Sequence, residues 1–127
     1  MEYILDTHVL LWSMFESVKL SQSAQKILLD KNYRRFVSIS SMWEIAIKNR
    51  IGKLPLPNGV DGVFSTIEKR GYGILDIDQQ HIEVYGVLPL LHRDPFDGII
   101  IATALLEKMT IVTADENIQK YDVPWIW

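Results

Sequence analysis

Along this chain, short apolar blocks switch between the two-residue spacing of strands and the three-to-four-residue spacing of helices. Tyr3–Leu5 is an apolar run that stops at Asp6 and predicts a short strand. Thr7–Phe15 follows as a helix, with Val9, Leu10, Leu11 and Met14 on its apolar face. Ser23–Asp30 predicts a second helix through Ala24, Ile27 and Leu28. Arg35–Ile39 (RFVSI) is strand-like, and Ser41–Ile51 helical with Trp43, Ile45, Ala46 and Ile47 apolar. Two prolines and two glycines in Gly52–Gly59 mark a loop.

Val60–Arg70 then predicts a helix, Gly73–Ile77 (GILDI) a strand and Gln79–Leu88 a helix, before a loop at Pro89–Asp94. Pro95–Lys108 is the clearest helix, apolar nearly all round through Ile99–Ala102 and therefore buried. Thr110–Thr113 is a strand, Glu116–Tyr121 a short helix and Pro124–Trp127 a final short strand. Strands alternating with helices imply an α/β sandwich with a mainly parallel sheet. Ligands of such sheets bind beyond the carboxyl ends of the strands. No internal repeat or low-complexity segment interrupts the pattern. A length of 127 residues fits one domain, 1–127.

Composition narrows the chemistry. At 48% hydrophobic residues the chain can build a core, and with no cysteine it has neither disulfides nor thiolate zinc sites. The absence of cysteine suits a cytoplasmic protein. The opening MEYILDTHVLLW lacks a basic stretch and is interrupted by Glu2 and Asp6, so it does not read as a signal peptide, and no apolar run is long enough to span a membrane. The net charge of −3 is unusual for a nucleic-acid binder unless bound divalent ions neutralise its acids.

Four acids attract attention by position. Asp6 and Asp115 follow strands, Glu44 starts the helix after a strand, and Asp97 starts the Pro95–Lys108 helix. Each has an ordinary reading. Ser41-Met42-Trp43-Glu44 has the form of a capping box, Asp94-Pro95-Phe96-Asp97 is a similar start, and Asp115 suits the cap of the short helix after it. Acids in a first helical turn also suit the helix dipole. Four acids gathered at one sheet edge are harder to explain that way, because crowded carboxylates repel unless a cation joins them. An all-oxygen set without paired histidines selects Mg²⁺ or Mn²⁺ over zinc. On this reading Glu44 and Asp97 double as helix starters, while Asp6 and Asp115 are the cleaner tests of chemistry.

These blocks resemble the PIN-domain family, and most closely the VapC-type toxins of toxin–antitoxin pairs. The resemblance is carried by ILDTHVLLW (Ile4–Trp12), SISSMWEIAIKNRIGKL (Ser38–Leu54), LPLLHRDPFDGIIIATAL (Leu88–Leu105) and IVTADENIQKYDV (Ile111–Val123). It implies a three-layer α/β/α sandwich, an acidic pocket for Mg²⁺ or Mn²⁺, and endonucleolytic cleavage of RNA. The acidic quartet would be Asp6, Glu44, Asp97 and Asp115, supported by Thr113 and, nearby, Thr7 and Ser40. It further implies a cognate antitoxin, a homodimer, and operator DNA reached only through the antitoxin. The chain departs from the pattern at Gly98, where relatives often carry Arg; Arg93 is a candidate to compensate.

Lys48, four residues after Glu44, is either a surface ion pair or a phosphate contact. With Arg50 and Lys53 it forms the densest basic stretch and the first candidate for RNA backbone contact. His8, His81 and His92 lack metal-ligand spacing; His92, beside Arg93, is at most a substrate contact. Trp12, Trp43, Trp125 and Trp127 read as core or interface anchors, with base stacking open to an exposed ring. Two other functions remain in view. One is a haloacid-dehalogenase-like Mg²⁺ phosphatase, which needs an acid two positions after Asp6, where His8 stands. The other is a non-catalytic PIN-like binding module.

Overall fold

In the computed structural model, which describes all 127 residues, five parallel strands form one sheet in the order β3-β2-β1-β4-β5. The strands are β1 (Glu2–Leu5), β2 (Arg34–Ser38), β3 (Gly73–Leu75), β4 (Thr110–Val112) and β5 (Trp125–Ile126). The helices are α1 (Thr7–Phe15), α2 (Gln22–Leu29), α3 (Ile39–Arg50), α4 (Gly59–Lys69), α5 (Gln79–Gly86), α6 (Pro95–Glu107) and α7 (Glu116–Gln119). A 3₁₀ turn at Ser17–Lys19, which the apolar pattern does not signal, joins α1 to α2.

Strand side chains alternate between two cores, which makes the architecture three-layered. Leu5, Val37 and Val112 pack with Val9, Leu10, Ile27, Ile45 and Ile67 from α1–α4. Ile4 and Ile111 pack with Ile100, Ile101, Ala104 and Ile118 from α6 and α7. A sheet covered on both faces explains why its strands read as near-continuous apolar runs. No helix is long and apolar enough to cross a membrane.

Among the boundaries that differ from expectation, the one between β2 and α3 matters to the site. β2 ends at Ser38, whose hydroxyl accepts the amide of Ser40 at 3.1 Å and caps α3. The helix therefore begins at Ile39, and Ser41 is inside it. Glu44 falls in the second turn, beyond reach of the cap, and the expected capping box does not form.

Candidate active site

Parallel strands end at one edge, and the turns leaving β1 and β4 carry Asp6 and Asp115 there. The backbone amide of Asp6 still bonds Val112 O, at 3.1 Å, as a last rung beyond β1. Its carboxylate is almost wholly buried and is held on two sides. Oδ1 accepts the amide of His8 at 3.3 Å, capping α1, and Oδ2 accepts the Thr113 hydroxyl at 2.8 Å. The same Thr113 oxygen accepts the amide of Asp115 at 3.0 Å, which ties the loop after β4 to the loop after β1. Asp115 caps α7 by accepting the amide of Asn117 at 2.8 Å. Thr7 donates to the Ser41 hydroxyl at 2.8 Å and locks the first turns of α1 and α3 together.

Asp97 sits in the first turn of α6, where Asp94 is the cap, accepting the amides of Phe96 at 2.9 Å and Asp97 at 3.3 Å. Burial pushes the Asp97 carboxyl up to about 7. The His92 bond opposes that shift, and the nearby charges of Asp94, Asp6 and Asp115 add to it. Asp6 is pushed up as well, chiefly by burial, against its bond from Thr113 and the influence of His8, and with the Asp115 charge adding to the rise. Asp6, Asp97 and Asp115 thus share one electrostatic field.

Glu44 joins them through a lysine. It is 3% exposed, and its Oε2 receives Lys48 Nζ at 2.7 Å while Oε1 has no hydrogen-bond partner. Burial alone would lower the Lys48 pKa; the bond and charge of Glu44, with the charges of Asp94 and Asp97, outweigh it and raise it. Lys48 is therefore both an ion pair and a cation poised beside the acids.

The other expected residues are more scattered. Ser40 shares a 2.7 Å hydrogen bond with Ser38 and contacts none of the acids. Arg50 ends α3, roughly 9 Å along the helix from Glu44, and Lys53 is exposed in the turn beyond it. Arg93 is exposed in the loop before α6. Gly98 is buried, and a Cβ there would run into the Tyr85 ring of α5. Any larger residue at 98 would have to displace the Tyr85 ring from the α5–α6 contact.

His92 was undervalued by sequence reasoning. Its Nε2 lies 3.0 Å from Asp97 Oδ2 and its Nδ1 3.0 Å from the Tyr121 hydroxyl. No periodicity signals this contact, because His92 is in a loop and Tyr121 is 29 residues away. His8 is exposed at the start of α1, whereas His81 is spent on the cap of α5 and on Glu107.

No three of the acidic or imidazole side chains form a ready-made ligand set for one ion. Mg²⁺ does not require one, since it keeps several waters and takes only one or two carboxylates directly. The donors fit such an ion: all are carboxylate oxygens, one of them, Glu44 Oε1, is buried without a partner, and Asp97 is crowded by like charge.

Comparison with known proteins agrees with this fold. The family model described as PIN domain matches residues 3–124. No curated protein matches the sequence. Among solved structures, a chain of VapBC2 from Rickettsia felis, bound to a DNA fragment from their promoter, superposes with a TM-score of 0.77 at 19% identity, covering 100% of this chain and 99% of that one. A chain of DNA-bound VapBC from Salmonella typhimurium gives 0.74 at 17% identity, covering 99% and 97%. A toxin–antitoxin complex from Klebsiella pneumoniae gives 0.69 at 16%, covering 98% and 96%.

Proposed function

The chain belongs to the PIN-domain family, and from that premise we propose that it is a single-domain, metal-dependent endoribonuclease acting as the toxin of a type II toxin–antitoxin pair. One observation carries the reading. Four elements deliver Asp6, Glu44, Asp97 and Asp115 to one sheet edge, and the only lysine or arginine bonded to any of them is Lys48. Such crowding of buried carboxylates is costly without a cation, and the oxygen-only set suits Mg²⁺ or Mn²⁺. When bound, that ion would make a water nucleophilic near neutral pH and stabilise charge on the phosphate oxygens.

The chain's own groups do the rest. Thr113 and the start of α1 fix Asp6 so that its orientation does not depend on substrate. Asp97 must give up a proton to act as a ligand, so cation affinity rises with pH through about 7. Lys48 sits where a phosphate entering the pocket would meet a positive charge. Arg50, Lys53 and Arg93 are candidates for the flanking backbone. Attack of water on phosphorus leaves a 5′-phosphate and a 3′-hydroxyl.

The partners follow the same reading. Chains of the same fold occur in toxin–antitoxin complexes, two of them on DNA. For this chain we propose an antitoxin partner, operator DNA reached only through it, and a cytoplasmic location. Exposed Ile39, Trp43 and Ile51 on and just beyond α3 support a homodimer. The direct test is cleavage of total RNA by the purified protein, alongside Asp6→Asn and an excess of EDTA. Asn keeps the helix-capping oxygen and deletes the charge. Both changes are expected to stop cleavage; full activity under either would sink the proposal.

A further inference from the structure

Three like-charged carboxylates sharing one field create a mechanical problem as well as an electrostatic one. Asp97 can rotate about its side-chain bonds, and repulsion from Asp6, Asp94 and Asp115 favours any rotamer that turns away from them. Something must hold it in place before a cation arrives. The helix does not, because the capping role at the start of α6 belongs to Asp94.

His92 is in position to do so. Its Nε2 is 3.0 Å from Asp97 Oδ2, and both side chains are close to fully buried. His92 is itself held twice by one atom. The Tyr121 hydroxyl accepts the His92 backbone amide at 3.3 Å and lies 3.0 Å from Nδ1. The two rings meet edge to face, with centroids 5.5 Å apart. Tyr121, just after α7, is buried in the core cluster of β1, β4 and α6, so the clamp rests on packed structure.

The count of hydrogens sets its polarity. An ionised Asp97 carboxylate can only accept, so Nε2 must carry a hydrogen, and a neutral ring has no second one for Nδ1 to offer the Tyr121 hydroxyl. Nδ1 is then the acceptor, and the ring proton sits on Nε2, which donates to Asp97. Oδ2 is occupied by that bond, and Oδ1 is left for the pocket.

We propose that His92, locked in orientation by Tyr121, is a positioning residue that holds Asp97 facing Asp6 and Asp115 against their mutual repulsion, so that the metal site is preorganised. It acts through Asp97 and touches neither cation nor RNA. The inference rests on the metal-nuclease reading and adds a residue pair to it.

Calorimetric titration of Mn²⁺ into the full chain, with no RNA present, tests it. Outer partners of ligating groups typically govern affinity by ~10- to 100-fold. His92→Ala is expected to weaken Mn²⁺ binding on that scale. His92→Gln, which places an amide N–H near the position of Nε2, should stay within about threefold of the parent. Tyr121→Phe removes one oxygen and should fall between the two. Unfolding curves of the same variants check that each is folded. A purely structural role would lower the melting temperature of the Ala and Gln variants alike and leave affinity unmoved. Unchanged affinity in His92→Ala, or Gln no better than Ala, overturns the clamp. Failure of the parent chain to bind Mn²⁺ overturns the metal reading itself, and the clamp with it.

Discussion

The two ends of the sheet handle buried charge in opposite ways. At the end where the strands start, Lys31, Arg35, Lys69 and Arg70 line a cleft of about 530 Å³ that has no acidic residue in its wall. Arg35 is buried there, donating to the carbonyls of Leu28 and, at 3.4 Å, Arg70, with its guanidinium 5.0 Å from the centre of the Tyr72 ring. Arg70 reaches the hydroxyl and carbonyl of Ser13 at 2.9 and 3.4 Å. Those carbonyls belong to the last turns or caps of α2, α4 and α1, where helix dipoles and unpaired C=O groups favour cations. Arg35 Nε and the Tyr72 hydroxyl go without a partner, and neither is an unpaired charge of the acidic kind, since the guanidinium keeps its other hydrogen bonds. That end compensates its charge from within the protein.

At the other end, only half of the acids get the equivalent treatment. Asp6 and Asp115 cap helices, as anions at N-termini should. Asp97 and Glu44 do not cap. They are left to His92 and Lys48, with one Glu44 oxygen unpaired and Asp97 pushed up to about 7. The contrast supports placing the proposed external ion at the end where internal compensation stops short.

Substitutions at the two ends should therefore move stability and activity in different directions. The largest effect is expected for Asp97→Asn. It deletes a proposed ligand and should lower RNA cleavage on the order of 10³-fold, several kcal/mol of transition-state stabilisation. Because it also removes buried like charge, it should raise the melting temperature of the metal-free protein at pH 8. A variant that loses both activity and stability would break the contrast. A smaller effect is expected at the opposite end. Arg35→Met leaves helix carbonyls unpaired and should cost about 1–3 kcal/mol in denaturant unfolding, with Mn²⁺ affinity changed by less than about twofold. Equal damage to metal binding would show that the two ends are coupled.

Much of this was legible in the sequence. The inner strands, covered on both faces, must be apolar and were visible as runs, and the buried α6 stood out by being apolar all round. The acids were visible because parallel strands share a carboxyl edge. Local capping was harder. Ser38, Ser40 and Ser41 are all competent caps, and only the end of β2 decides that Ser38 does it. The roles of the acids came out differently for that reason. Asp6 and Asp115 are the dual-purpose residues, whereas Asp97 lies in a first helical turn without capping it and Glu44 lies beyond the first turn altogether. His92 and the packing role of Gly98 depend on Tyr121 and Tyr85, contacts set by tertiary structure and carrying no local signal.

The claim that the acidic edge is built for an external cation has a direct thermodynamic test. Folding raises the Asp97 pKa from 3.8 to about 7, and raises that of Asp6 too. Between those values the folded chain binds more protons than the unfolded one, so this contribution to stability is complete below about pH 4 and is lost as pH rises towards 7. Melting temperature should be measured at pH 5.5 and pH 8, with and without millimolar Mg²⁺. The account predicts that the metal-free protein melts lower at pH 8 than at pH 5.5. It also predicts that Mg²⁺ restores the loss at pH 8 and does far less at pH 5.5. A melting temperature that rises or stays flat with pH, and ignores Mg²⁺ at pH 8, would contradict it.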